Sequence, residues 1–414
     1  MFGSRLQIVF GLGLAVAGFS TLAKAQDQTF KDAFALYQAG SISQARELLL
    51  TALEKTPSAL DYSLLGSIEF EQKQFDSAEQ HLRKALAITP GLPGTRFTLA
   101  SVLEAKGRLA EAKREFERAL AANGQNVEAI LACIRLAIAQ GHIDEAARLG
   151  ERAALVAPTD ARVLLARARI RNLQGNTEAA LSLLLQAKKI APDDGGVLYA
   201  LGVLCLQMDL IKDATANLEK AAQLQPDNFT TLYALASARI ANRDFPAAIK
   251  IYENLLKTDP ENAQVSYALG ATYFLSGNIE AAKPLFERSI RLQPLQIESF
   301  YYLGLIAGQE GDTAKSIELL NTAVHRQPDH ARAHIALGMA YRALGQLTDA
   351  ERELQTAVRL NPDSQKAHYQ LGLVYSALKQ QEQAKAELAT AGRLRAATDD
   401  KVSWELAPPP AQTQ

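Results

Sequence analysis

A chain of 414 residues with 48% hydrophobic and 21% charged residues carries enough apolar material for a large core, which excludes a disordered polymer. Lys and Arg number 44 against 45 Asp and Glu, a balance that removes the electrostatic case for nucleic acid, which needs a basic face. Its two cysteines, Cys133 and Cys205, both in apolar runs, exclude a disulfide framework and read as buried small hydrophobes.

The first 25 residues read as an export signal rather than as fold. Arg5 supplies a positive start, Ile8 to Phe19 a short apolar run, and Ala23-Lys24-Ala25 a cleavage site that places the mature start at Gln26. The apolar run is short for a full span of ~20 residues. This predicts a periplasmic or secreted protein with no transmembrane segment after cleavage.

From Gln26 onward the sequence repeats itself. Pro158, Pro192, Pro226, Pro260, Pro294, Pro328 and Pro362 stand 34 residues apart, with Gly124, Pro90 and Pro57 continuing the series backward. A Leu-small pair follows most linkers, as in Leu65-Gly66, Leu99-Ala100, Leu201-Gly202 and Leu337-Gly338. Then comes a turn glycine (Gly40, Gly107, Gly141, Gly175, Gly277, Gly311, Gly345), and five residues later an alanine such as Ala112 or Ala282. Ala78, Ala214, Ala248 and Ala384 hold that slot in repeats without the glycine, and only Ser316 departs from it. Within a unit, Val265, Leu269, Thr272 and Tyr273 share one helical face. The turn glycine supplies a left-handed helix end, and polar residues after the proline, as in Pro226-Asp227-Asn228 and Pro260-Glu261-Asn262, supply the next N-cap.

This pattern resembles the tetratricopeptide repeat family over residues 26 to about 398. The resemblance implies an all-α, right-handed superhelical solenoid of about eleven 34-residue helix-turn-helix repeats. First helices then line a concave face, and the repeats begin near 26, 59, 93, 127, 161, 195, 229, 263, 297, 331 and 365.

Some stretches depart from the pattern. Gly150 sits inside a second helix where a large apolar residue is usual, at ~1 kcal/mol of helix stability, and Arg167 and Arg171 occupy normally buried positions. One reading is locally loosened packing. The other is a basic patch of Arg135, Arg162 and Arg169 that holds acidic side chains or a terminal carboxylate. The last repeat lacks its turn glycine and closing proline, and the tail 399–414 carries Trp404 and Pro408-Pro409-Pro410, read as a docked Trp before a disordered end.

Motifs for chemistry are missing: no phosphate loop, nucleophile elbow or metal-spaced cysteine pair is present. His330, His334 and His368 are the nearest approach to a zinc set, but equivalent positions of neighbouring repeats lie ~10 Å apart, so hydrogen-bonded histidines are expected. The sequence therefore predicts no enzyme, no cofactor and no metal.

On the family pattern the fifth residue of each first helix faces the groove. Tyr199, Tyr233, Tyr267, Tyr301 and Tyr369 occupy it, with Leu206, Ile240 and Phe274 beside them. Either these rings pack between repeats, or they form a binding floor of large apolar area with a hydroxyl. The expected function is an exported scaffold that binds peptide segments or partner proteins in the groove, in envelope assembly or secretion. The alternative is a glycan-binding accessory in polysaccharide handling or export. Oligomeric state does not follow from the sequence.

Overall fold

The computed structural model describes residues 21–92 and 94–398. The apolar run of the leader and the tail with Trp404 lie outside the described residues. The chain divides into two compact units, residues 1–200 and 201–414. The first unit holds α1 (Thr21–Gln38), α2 (Ile42–Lys55), α3 (Ala59–Glu71), α4 (Phe75–Ile88), α5 (Thr95–Ala105), α6 (Leu109–Ala122), α7 (Val127–Ala139), α8 (Ile143–Val156), α9 (Ala161–Leu173) and α10 (Thr177–Ile190). The division falls inside α11 (Gly195–Gln207). The second unit continues with α12 (Ile211–Leu224), α13 (Phe229–Ala241), α14 (Phe245–Thr258), α15 (Ala263–Leu275), α16 (Ile279–Leu292), α17 (Ile297–Gln309), α18 (Thr313–Arg326), α19 (Ala331–Ala343), α20 (Leu347–Leu360), α21 (Gln365–Ala377) and α22 (Gln381–Thr398). Among the described residues these are eleven helix pairs, and from α7 onward each first helix opens at the residue the 34-residue spacing predicts.

The linker between pairs sets each first helix. The side chain of Asn228 accepts from the Thr231 amide at 3.0 Å, and that of Asn262 from the Val265 amide at 3.0 Å. Each satisfies one of the amide groups that a helix start leaves without an internal partner.

The turn inside each pair is left-handed at one residue in all eleven pairs among the described residues. Seven use glycine, among them Gly277 at φ 86°. The other four use Lys73, Asp209, Arg243 and Lys379 at φ 59–62°. The hydrogen bonds are the same in both cases. The Gly277 amide donates to Phe274 O and the Asn278 amide to Tyr273 O; the Arg243 amide donates to Ile240 O and the Asp244 amide to Arg239 O. The fold thus imposes the conformation whether or not the residue favours it.

Close approach of the two helices comes from a small residue facing a large one. A Cβ on Gly202 would stand 2.5 Å from Leu218 Cγ, and one on Gly338 2.6 Å from Leu354 Cγ. Where alanine replaces the glycine, as at Ala100 and Ala236, the residue 16 positions on is aromatic, Phe116 and Tyr252. Gly150 reverses the arrangement, with Ile134 in the small slot. It is buried, and a Cβ there would meet Ile170 Cδ1 at 3.1 Å. The loosened packing expected here is corrected: volume is transposed between helices, not lost.

Cys133 on α7 and Cys205 on α11 are buried thiols. Burial, reinforced by Glu117 and Glu145, pushes the Cys133 thiol up to about 11.

The left-handed turns generate a prediction. Arg243→Gly relieves a side chain from a conformation that costs L-residues about 1–2 kcal/mol, partly offset by glycine's extra unfolded-state entropy. A gain of about 0.5–1 kcal/mol is expected. Gly277→Ala should lose about 1 kcal/mol. Urea midpoints of the two variants check both signs, and a loss in Arg243→Gly contradicts the account.

Candidate functional site

The tyrosine series keeps its phase but not its expected exposure. Tyr233, Tyr267 and Tyr301 are 2%, 1% and 9% exposed, and Ile240 is 0% exposed. The following repeat covers each ring. Gln264, at the start of α15, donates to the Tyr233 hydroxyl at 3.0 Å. Tyr302 of α17 lies against Tyr267 with ring centroids 6.2 Å apart. Arg332 of α19 stands over Tyr301 at 5.2 Å, and the His330 ring is 5.2 Å from it. Burial raises the Tyr233 and Tyr267 hydroxyls above the ordinary phenol range. These three tyrosines and Ile240 are core, which corrects the expectation of an open aromatic floor. Tyr199 is half-buried, and Tyr369, on the first helix of the last pair, is 44% exposed.

The basic patch is also largely spent within the chain. Arg135 makes a two-pronged contact with Glu104, at 3.0 and 2.7 Å. Arg162 reaches Glu128 at 2.5 Å and Asp160 at 2.6 Å, and the Arg162 hydrogen bond holds the Asp160 carboxyl below the usual range against burial. Glu151 takes both Arg167 and Arg171, at 3.1 and 3.0 Å. Only Arg169 of the three named arginines stands exposed without a carboxylate in contact; its charge pulls against the burial that raises the Tyr199 hydroxyl. A three-arginine anion site is therefore corrected to one open guanidinium.

The histidines do not converge. His330 bonds Glu298 through Nε2 at 3.1 Å and accepts the Ala333 amide on Nδ1. His334 bonds Glu353 at 2.7 Å and the Pro328 carbonyl at 3.0 Å. His368 bonds Glu387 at 2.5 Å and the Pro362 carbonyl at 2.8 Å.

What stays accessible lies one to two turns further along the same first helices. Leu206 and Phe274 are half-buried, as are Val203, Leu305 and Met339; Leu275 is 40% exposed. Phe274 rests edge-on against Tyr302, centroids 5.1 Å apart, and stays part-exposed beside the core. Val203, Leu305 and Met339 occupy the ninth position of their repeats, Leu206 and Phe274 the twelfth, and Leu275 the thirteenth. Leu275 and Met339 were not singled out from the sequence, although their place in the 34-residue count marks them.

A family model described as a tetratricopeptide repeat matches residues 30–93, 233–297, 301–364 and 335–400, more than half of the chain. Two further models of the same description match 69–121 with 103–170, and 196–228. The chain belongs to the tetratricopeptide repeat family. Tetratricopeptide arrays are protein–protein interaction scaffolds, and this chain carries that scaffold fold. No curated protein matches its sequence. Among solved structures, yeast Tom70 is similar at 15% identity over 90% of this chain and 92% of that one, TM-score 0.48. The Cut9–Hcn1 tetramer of APC/C is similar at 15% identity over 90% and 88%, TM-score 0.48. A tetratricopeptide repeat protein from Parabacteroides merdae is similar at 17% identity over 59% and 97%, TM-score 0.46. Among the described residues no helix is long and apolar enough to cross a membrane.

Tyr267 separates core from binding surface. Its hydroxyl is buried and has no hydrogen-bond partner among the described residues. Tyr267→Phe should therefore leave stability unchanged or raise it, since an unsatisfied buried hydroxyl costs about 1–3 kcal/mol. Tyr267→Ala should lose about 3–5 kcal/mol by opening a cavity. Chemical denaturation measures both; a stable Tyr267→Ala protein would restore the open-floor reading.

Proposed function

We propose that the chain is an exported scaffold that holds segments of partner proteins against the first helices of its second unit, in envelope assembly or secretion. The observation that carries this reading is the half-open apolar strip of Val203, Leu206, Phe274, Leu275, Leu305 and Met339. Apolar side chains left accessible on one face of three successive repeats, at Phe274 and Leu275, Leu305 and Met339, with Val203 and Leu206 two repeats before, mark an interaction surface, whereas single exposed leucines need no explanation. Export rests on the leader: Arg5, the apolar run and the Ala23-Lys24-Ala25 site. The burial of Tyr233, Tyr267 and Tyr301 removes the aromatic platform on which sugar rings stack, and this favours a protein partner over a glycan.

Two experiments test the reading. A photo-crosslinking residue placed at Leu305 or Met339 in living cells should give protein adducts of defined mass, while one at Glu318, exposed on the second helix α18, should give none. Equal yields at all three sites defeat the strip. N-terminal sequencing should find Gln26 as the first residue of protein recovered outside the cytoplasm; a soluble cytoplasmic product that keeps Met1 defeats the export reading.

A further inference from the structure

Three repeats share a device that the others lack. Six residues after the closing proline, on the first helix, stands a basic side chain: Arg96 after Pro90, His334 after Pro328, His368 after Pro362. Nineteen residues further on, on the second helix, stands a glutamate: Glu115, Glu353, Glu387. In each case the basic group ties the proline carbonyl of the linker to the glutamate. Arg96 spans from the Pro90 carbonyl at 3.0 Å to Glu115 at 3.0 Å. His334 spans from the Pro328 carbonyl at 3.0 Å to Glu353 at 2.7 Å, and His368 spans from the Pro362 carbonyl at 2.8 Å to Glu387 at 2.5 Å. In six other repeats the first-helix slot holds no charged group: Ile130, Leu164, Leu198, Leu232, Ser266 and Phe300.

The hydrogen-bond accounting separates the histidine latches from the arginine one. A carbonyl accepts only, and an ionised carboxylate accepts only. An imidazole that bonds both must carry a proton on each nitrogen, so it makes the full set of bonds only as a cation. His330, by contrast, accepts an amide on Nδ1 and donates from Nε2, which the neutral ring satisfies. His334 and His368 are both buried at 7% exposure, so a bond lost there is not replaced by bulk water. The guanidinium of Arg96 keeps its charge at every accessible pH.

We propose that His334 is a protonation latch: as a cation it clamps the linker before α19 to α20, and as the medium turns alkaline that clamp opens, loosening this repeat within the array.

The groups around His334 set the window. From α20, Glu353 faces it, Arg359 opposes its charge, and Arg352, itself paired with Asp349, holds the other oxygen of Glu353. From the linker comes the Pro328 carbonyl, while Glu298 of α17 is engaged by His330 and Arg332. Burial lowers the His334 pKa, but the Glu353 and Pro328 bonds outweigh it and the folded value is raised. A raised histidine contributes stability in full below its unfolded value of about 6.5 and loses it as pH rises through the folded value. Glu353 sets the acid side. Burial is the largest single influence and raises it, the bonds and charges of His334 and Arg352 together outweigh burial, and the net lowering keeps its contribution until pH falls through the lowered value.

Hydrogen exchange of the full-length chain at pH 6 and pH 9, corrected for the intrinsic rate, tests the latch. The Arg96 repeat, α5 and α6, serves as the control within the same molecule. Protection of α19 and α20 should fall about tenfold or more relative to α5 and α6 between the two pH values, the scale of one lost charge-assisted bond. The variant His334→Arg copies the Arg96 latch and should abolish that fall while far-UV circular dichroism stays native. Protection in the native chain that changes equally in both regions overturns the proposal. So does a folded His334→Arg variant that keeps the full pH response. Should the variant fail to fold, the native comparison alone decides.

Discussion

The glycine of each Leu-Gly pair faces a leucine or aromatic 16 residues on, and the rest of the architecture depends on that single crossing. At Gly202 or Gly338 a methyl group would overlap a leucine Cγ, so the two helices sit as close as backbone and side chain allow. Closeness at this point fixes the pair as a unit, and the unit then presents its remaining apolar side chains to the next. The sequence adjusts the crossing rather than abandoning it. Glycine meets leucine, alanine can meet an aromatic ring, and in the fourth repeat the large and small residues exchange helices as Ile134 and Gly150. Interiors packed to crystal density tolerate a transposition of volume better than a change in its sum.

The helix pairs were legible because their determinants are local. A linker proline, a cap, a left-handed turn and a small-large pair all act within 34 residues, so a periodic sequence exposes them. The four turns without glycine were legible too, through the alanines Ala78, Ala214, Ala248 and Ala384 that keep the beat. The site was less legible because it depends on what one repeat does to the next. Spacing placed Tyr233, Tyr267 and Tyr301 on a common face, but their burial is decided by Gln264, Tyr302, His330 and Arg332, each reaching across from the following repeat. The arginines failed the same way: Glu104 and Glu128 stand 31 and 34 residues before their partners, in the preceding repeat. Phase can be counted along a chain, whereas cover has to be built.

Electrostatics in this molecule serve mostly to join repeats. Lys113 with Glu145, Arg135 with Glu104, Arg162 with Glu128 and Arg332 with Glu298 each cross from one repeat to a neighbour. Exposed pairs of this kind contribute little each. The accessible strip on the second unit is built instead from apolar side chains, Phe274, Leu275, Leu305 and Met339 among them.

The exposed ring of Tyr369 has a consequence for how such a chain scales. In the second unit Tyr233, Tyr267 and Tyr301 are each roofed by the repeat that follows, and among the described residues no further repeat follows to roof Tyr369. Appending a repeat would cover Tyr369 and bare its own fifth residue in exchange. The open end is thus a fixed toll, independent of how many units precede it, while every added interface contributes its full share. Lengthening the array dilutes that toll and shortening it concentrates it. Arrays built this way have a minimum viable length but no intrinsic maximum, so the number of repeats can drift to match the reach a partner requires.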